Sequence, residues 1–195
     1  MTVMVRNVAV ACAGALALAL AGCAADEGTR DARVPLDAAQ ARLPAVAAGF
    51  ERAAPLPPTA TPATDLGQSR VVEYATPRRV AVGLVFLYDA NKPEVTAADV
   101  GPEFERRVAE GGRLSERSGR RLVERSRETV TLARGGTLSC ATLAGAFGRS
   151  PVEWQVCVGA VGGRFLRTEV TMPGRSPPPA DARGFAQAVA NAARG

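Results

Sequence analysis

The stretch Val130–Met172, VTLARGGTLSCATLAGAFGRSPVEWQVCVGAVGGRFLRTEVTM, decides the fold of this protein. It is divided by three glycine-containing dipeptides, Gly135-Gly136, Gly148-Arg149 and Gly162-Gly163. Such dipeptides suit tight hairpin turns, because glycine adopts positive φ without steric cost. The four runs that they separate are therefore predicted to form an antiparallel meander.

The register of each hairpin follows from its turn and from the need to bury one apolar face. A two-residue turn at the first glycine pair sets Val130 opposite Ala141. At the third reversal a two-residue loop sets Trp154 opposite Thr171, whereas a three-residue loop sets it opposite Val170. The three-residue loop is preferred, because it keeps the apolar side chains on one face.

The segments before the meander add further elements. Val80–Tyr88 is apolar on both faces, which is typical of a central strand, and Val71–Tyr74 precedes it as a hairpin partner. Thr96–Asp99 has the pattern of a capping box at the start of a helix. Gly111-Gly112 is predicted to end that helix, and a second, polar helix is predicted over Leu114–Ser126.

A last helix is predicted over Asp181–Arg194, with Phe185 and Val189 on its inner side. The order hairpin, helix, four-strand meander and terminal helix predicts an α+β domain, in which helices cover a twisted antiparallel sheet of about six strands. In this order, and in the strand Val80–Asp89, residues 66–194 loosely resemble PsbP-like domains. That resemblance implies a non-catalytic accessory subunit of a membrane complex.

The amino terminus has the features of a secretion signal. Arg6 is followed by Val8–Leu20, an uncharged apolar run too short to span a bilayer comfortably. Leu20-Ala21-Gly22-Cys23 resembles the lipobox of bacterial lipoproteins, which implies cleavage before Cys23 and attachment of diacylglycerol to its thiol. An ordinary cleaved signal with an incidental Cys23 is the alternative.

The residue after the lipobox is Ala24. In Gram-negative members of the lipoprotein family an Asp at this place marks retention in the inner membrane, so Ala24 favours the outer membrane if the organism has two. The resemblance thus implies an exported protein, anchored by lipid and exposed on the periplasmic face.

The chain is predicted to have three parts: a signal peptide over residues 1–22, an Ala/Pro-rich tether over 23–65 and a single domain over 66–195. Within the tether, Leu36–Phe50 is compatible with a short helix, and the proline-rich residues that follow suit an extended linker. A binding segment at Leu43–Phe50 is the alternative to a plain spacer.

Composition excludes several classes of chemistry. The chain has no histidine, which removes Ser-His-Asp and Cys-His catalysis and histidine-bound zinc. No cofactor or metal is predicted. The formal charge of +5 rests almost entirely on arginine, and the basic run lacks the interleaved aromatics that stack on nucleic acid, so no nucleic-acid partner is predicted.

Two cysteines remain in the mature chain once Cys23 carries lipid. In an exported protein they are expected to be oxidised, and the turn at Gly148-Arg149 sets Cys140 opposite Cys157. The same turn sets Leu143 opposite Trp154 on the other face. A redox-active pair or a metal site is the alternative, but the spacing is not Cys-x-x-Cys and no histidine completes a metal shell.

The densest basic run covers residues 106–127 and is interleaved with glutamates. Pairs such as Glu103 and Arg107 have the spacing of surface ion pairs, so a solvated helix face is predicted. The alternative is a surface that docks on anionic lipid or glycan. Its candidate contacts are Arg113, Arg117, Arg120 and Arg121.

The loop Asp89–Lys92 follows the central strand and contains the only lysine of the chain. A hydrolase that uses this loop without histidine is the less favoured hypothesis, because no serine partner or oxyanion site is identified. The favoured hypothesis is a membrane-tethered, non-catalytic module of the cell envelope, which acts as an accessory or binding protein with an envelope protein as partner.

Overall fold

The computed structural model describes residues 33–54, 64–117 and 119–194, without the side chains of residues 64, 114–117, 120 and 121. The elements in chain order are α1 (Leu36–Ala41), β1 (Val46–Ala47), β2 (Phe50–Arg52), β3 (Ser69–Ala75), β4 (Val82–Tyr88), α2 (Ala97–Arg117), β5 (Arg120–Thr131), β6 (Thr137–Phe147), β7 (Ser150–Val161), β8 (Arg164–Pro173) and α3 (Ala182–Arg194).

The strands form one antiparallel sheet in the order β1-β2-β3-β4-β8-β7-β6-β5. The predicted α+β class and central position of β4 are confirmed, because β4 lies between β3 and β8. The predicted count of about six strands is corrected to eight, since β1 and β2 extend the sheet beyond β3.

Helices cover the sheet on both faces. On the α3 face, Phe185 and Val189 are fully buried and pack among side chains of α1 and of most strands, as predicted for the inner side of the last helix. On the α2 face, Phe104 and Val108 pack against Trp154 and its neighbours. The molecule therefore has two apolar clusters, one on each face.

Residues 33–54, which were predicted to belong to the tether, are part of this folded unit. Leu36, Leu43 and Phe50 are buried in the cluster of the α3 face, and β2 pairs with β3. Helix α1 ends at Ala41, so only part of the predicted helical stretch is helical. The amino-terminal strands have two and three residues, too few to produce a visible alternation of apolar and polar positions. The signal, the lipobox and residues 55–63 lie outside the described residues.

The turn at Gly148-Arg149 gives the predicted register, with Leu143 opposite Trp154. The other two register predictions are wrong. Val130 lies opposite Leu138, because the first reversal is a wider loop over residues 132–136, which lets Leu132 and Leu138 both point into the α3-face core.

The third reversal is a two-residue turn, so Trp154 lies opposite Thr171. The preference for a three-residue loop assumed that β8 presents apolar residues to the α2 face. Strand β8 instead places Leu166 and Val170 on the α3 face and presents Arg167 and Glu169 to α2.

Helix α2 continues through Gly111-Gly112, contrary to the predicted break. A Cβ at Gly111 would lie 2.4 Å from the Trp154 ring, so glycine here allows the helix to approach the sheet. The second helix predicted over Leu114–Ser126 is wrong as well: β5 begins at Arg120 and forms an edge of the sheet, where charged side chains remain in solvent.

Candidate functional site

A buried cluster of charged and polar side chains lies between α2 and the sheet. Arg107 donates to Glu103 (Nε to Oε1, 2.6 Å), and Tyr88 of β4 donates its hydroxyl hydrogen to the same carboxylate. Arg107 also contacts Glu110 at 2.6 Å and Asp65 at 3.0 Å. Glu103 and Arg107 were predicted to form a surface pair, but they face the sheet and are almost fully buried.

The cluster is neutralised internally. Burial alone would raise the pKa of Glu103, but hydrogen bonds from Tyr88, Arg106 and Arg107 lower it below its usual value. Burial alone would lower the pKa of Arg107. Hydrogen bonds to Glu103 and Glu110 outweigh burial and raise that pKa above its usual value. Both side chains are therefore charged at neutral pH, and they join α2 to the sheet.

Strand β8 contributes a second charged pair to the same face. The Arg167 guanidinium stacks on the Phe86 ring, with Cζ 3.8 Å from the centroid, and its Nε lies 3.2 Å from Glu169 Oε1. Burial raises the pKa of Glu169, and Arg167 and a hydrogen bond from Trp154 oppose that rise only in part. Neither residue was singled out in the sequence, where single charges within an apolar strand carry no distinctive spacing.

The polar side chains of the loop Asp89–Lys92 make contacts within the fold. Asp89 Oδ1 accepts the backbone N–H of Gln68 (3.1 Å) and of Asn91 (2.9 Å), and its Oδ2 lies 3.1 Å from Arg33. All these contacts fix the connection between β4 and α2. Asp89 therefore acts as a loop anchor.

Lys92 is likewise engaged in structure, through the start of α2. Its Nζ contacts Asp99 at 2.8 Å, and Asp99 accepts the backbone N–H of Thr96 at 2.8 Å, as the capping-box pattern predicts. The hydrogen bond from Lys92 is the main cause that lowers the pKa of Asp99 to about 2, and the bonds from Thr96 add to it.

Cys140 and Cys157 form the predicted disulfide, as directly opposed residues of β6 and β7. Both cysteines are buried in the cluster of the α3 face, away from Leu143 and Trp154. Their burial inside an apolar core supports a structural bond, in place of an exposed redox pair.

The arginines of residues 106–127 fall into different environments. Arg106 and Arg107 belong to the cluster beneath α2, and Arg127 is held between Glu105 and Glu124. Of the four candidate contacts, Arg113 is exposed on α2. Arg120 and Arg121 begin β5, where their backbone pairs with Phe147 and Ala146, and Arg117 ends α2. The structure does not describe the side chains of these three residues.

Other exposed arginines occur where the sheet ends near Phe147. Arg78, Arg149 and Arg175 lie in the β3–β4, β6–β7 and β8–α3 connections, and all three are exposed. Within the described part of the chain, none of them forms an ion pair, unlike Arg79, which contacts Glu73 at 2.6 Å. We call this end of the sheet, with its three arginine-bearing connections, the Arg149 end.

No helix among residues 33–54, 64–117 and 119–194 is long and apolar enough to cross a bilayer. Over the same stretches, no three Cys, Asp or Glu side chains are grouped so that they could hold a metal ion. No protein-family model matches the chain, and no curated protein matches it.

Proposed function

We propose that the protein is a membrane-tethered, non-catalytic lipoprotein of the cell envelope, which acts as an accessory or binding module. The observation that carries this proposal concerns the loop Asp89–Lys92, which the sequence offered for catalysis. Asp89 anchors the loop and Lys92 pairs with Asp99 in the first turn of α2, so both candidate groups are engaged in structural contacts.

Two further features support it. The lipobox-like stretch Leu20-Ala21-Gly22-Cys23 supports attachment of lipid at Cys23, and two or more acyl chains give a stable membrane anchor. The exposed arginines of the Arg149 end offer a surface for recognition. The resemblance to PsbP-like domains points to the same accessory role.

The anchor is tested by metabolic labelling with a palmitate analogue, followed by separation of membranes. We expect the wild-type protein to carry the label and to sediment with membranes, and Cys23→Ala to lose both. Cys12→Ala is the matched control, since Cys12 belongs to the discarded signal, and it should retain both. Labelling that survives Cys23→Ala contradicts the proposal.

The accessory role is tested by crosslinking in intact cells and by assay of the purified domain. We expect one reproducible crosslinked envelope protein, whose yield falls with Arg149→Glu. The matched control is Arg134→Glu, which changes an exposed arginine of the β5–β6 loop and should leave the yield unchanged. Turnover of an envelope substrate that is lost in the double variant Asp89→Ala/Lys92→Ala would instead favour the hydrolase hypothesis.

The unpaired arginines favour a second candidate function, docking on anionic lipid or glycan. Exposed charges are screened within about 10 Å at 0.1 M salt, so such docking should weaken steeply as salt rises. Sedimentation of the soluble domain with phosphatidylglycerol vesicles at two salt concentrations measures this. Binding that does not depend on salt, or on Arg149, would count against an arginine surface.

A further inference from the structure

The two ends of the sheet carry different features. Strand β7 runs the full distance between them, from Ser150 at the Arg149 end to Val161 at the other. The second end, which we call the Arg33 end, comprises Arg33 with the connections β4–α2 (residues 89–96), β5–β6 (residues 132–136, with the exposed Arg134) and β7–β8 (residues 162–163). Val95 donates its backbone N–H to Gly163 at 3.0 Å, which joins the β4–α2 and β7–β8 connections.

Arg33 is fixed at this end by contacts with the β4–α2 connection. Arg33 lies 3.1 Å from Asp89, and its Nη1 donates to the carbonyl oxygens of Lys92 and Pro93, each at 3.2 Å. Arg164 of β8 donates to the carbonyl oxygen of Val34, one residue further along. Arg33 and Val34 are therefore held at a defined point of the domain, beside the β4–α2 connection.

Only nine residues separate Cys23 from Arg33. A random coil of that length spans about 17 Å, and a fully extended chain reaches about 35 Å. Strand β7 has 12 residues, which at about 3.3 Å each makes the sheet roughly 40 Å long. Even the fully extended length is thus shorter than the sheet, so a lipid on Cys23 keeps the Arg33 end closer to the bilayer than the Arg149 end.

We propose that the domain stands on its membrane with the Arg33 end toward the lipid headgroups and the Arg149 end facing away. This inference rests on the lipidation of Cys23 proposed above. The large apolar side chains that are exposed in the described residues, Val46, Val71, Val80, Val123 and Phe147, all lie outside the connections of the Arg33 end. The Arg33 end rests on headgroups without insertion, and the arginines of the opposite end face away from the host bilayer, so any anionic lipid or glycan that they bind belongs to another surface.

The test uses the mature lipidated protein in vesicles of phosphatidylcholine with phosphatidylglycerol. A single fluorophore is attached to Glu94→Cys at the Arg33 end or to Arg149→Cys at the other end, both exposed positions. A quencher on the lipid headgroups then reports proximity. We expect the Glu94 probe to be quenched several-fold more strongly than the Arg149 probe.

A second variant makes the orientation depend on the short connection. Insertion of 20 Gly/Ser residues between Ala25 and Asp26 should bring the two probes to similar quenching, since the domain can then turn over. Equal quenching without the insertion, or stronger quenching at Arg149, overturns the proposed orientation. If the protein does not float with the vesicles at all, the lipid anchor fails instead, and flotation measured before quenching separates the two results.

Discussion

On the α3 face of the sheet, burial is almost wholly apolar: Phe185 packs against Phe50 and Tyr74, and a disulfide lies in the same cluster. On the α2 face, an apolar half around Trp154 adjoins the charged cluster of Glu103, Arg107 and their partners. Apolar packing tolerates small changes of position, whereas a buried ion pair requires each partner in place. The comparison teaches that burial of apolar surface holds α3 on the sheet, whereas α2 depends also on specific buried ion pairs and hydrogen bonds.

The largest expected effect is on the α3 face. Phe185→Ala removes a fully buried ring from contact with two others and should lower the free energy of unfolding by about 3–5 kcal/mol. Urea denaturation followed by circular dichroism measures the loss. Val71→Ala, at a half-exposed position of β3, is the control and should cost less than about 1 kcal/mol. Equal losses would mean that α3 is not part of a single cooperative core.

Removal of the disulfide comes next. Cys140 and Cys157 are 17 residues apart, and in the chain-entropy model a loop of that size contributes about 3 kcal/mol. Cys140→Ala/Cys157→Ala should therefore unfold at a lower urea concentration than the oxidised wild type. Reduction of the wild type with dithiothreitol should approach the same midpoint. A midpoint that reduction leaves unchanged would show that the register of β6 and β7 is already fixed without the bond.

On the α2 face, Arg107→Met should cost about 2–3 kcal/mol, because it leaves the buried carboxylate of Glu103 without its one buried cationic partner, while Tyr88 and the exposed Arg106 remain. Arg107→Met/Glu103→Gln should recover part of that loss, since the uncompensated charge is gone. A double-mutant cycle measures the coupling. Additive losses would show that the two side chains are not energetically coupled, contrary to the proposed difference between the two faces.

The smallest effect concerns pH. Burial raises the pKa of Glu169 in the folded protein, so the folded state binds this proton more tightly than the unfolded state does. The contribution of Glu169 to the free energy of unfolding is complete below its pKa in the unfolded chain, near 4.5. It is lost as pH rises through the higher pKa of Glu169 in the folded protein. Glu169→Gln lacks that loss, so its unfolding free energy relative to wild type should increase with pH. A difference that does not vary with pH would contradict this assignment.

The sequence indicated the apolar half of the molecule better than the polar half. The strand Val80–Tyr88, the last helix and the Cys140–Cys157 pairing followed from apolar periodicity and from one unambiguous turn. The register of β7 with β8 did not, because Arg167 and Glu169 face a buried surface and thus violate the rule that the hidden face is apolar. Only the three-dimensional partners of these charges show that they are accommodated.

The remaining errors have local causes. Glycine has a low helix propensity, so Gly111-Gly112 indicates a break, and only the Trp154 ring packed against Gly111 shows what the glycine allows. Charged residues of β5 match a helical pattern as well as an edge strand, so periodicity alone does not separate the two. The candidate surface was identified only in part: Arg113 is exposed as expected, whereas Arg78, Arg149 and Arg175 are far apart in sequence and the fold brings them to one end.

The early entry of the chain into the fold has a practical consequence for anyone who prepares this domain. Trimming the protein at residue 66 would remove Phe50 from its contact with Phe185 and leave the hydrogen-bonding edge of β3 open to other chains. We expect such a shortened product to self-associate during purification. A version that begins upstream of Arg33 retains Phe50 as the partner of Phe185 and β2 as the partner of β3. It is the version to crystallise or to immobilise for partner searches.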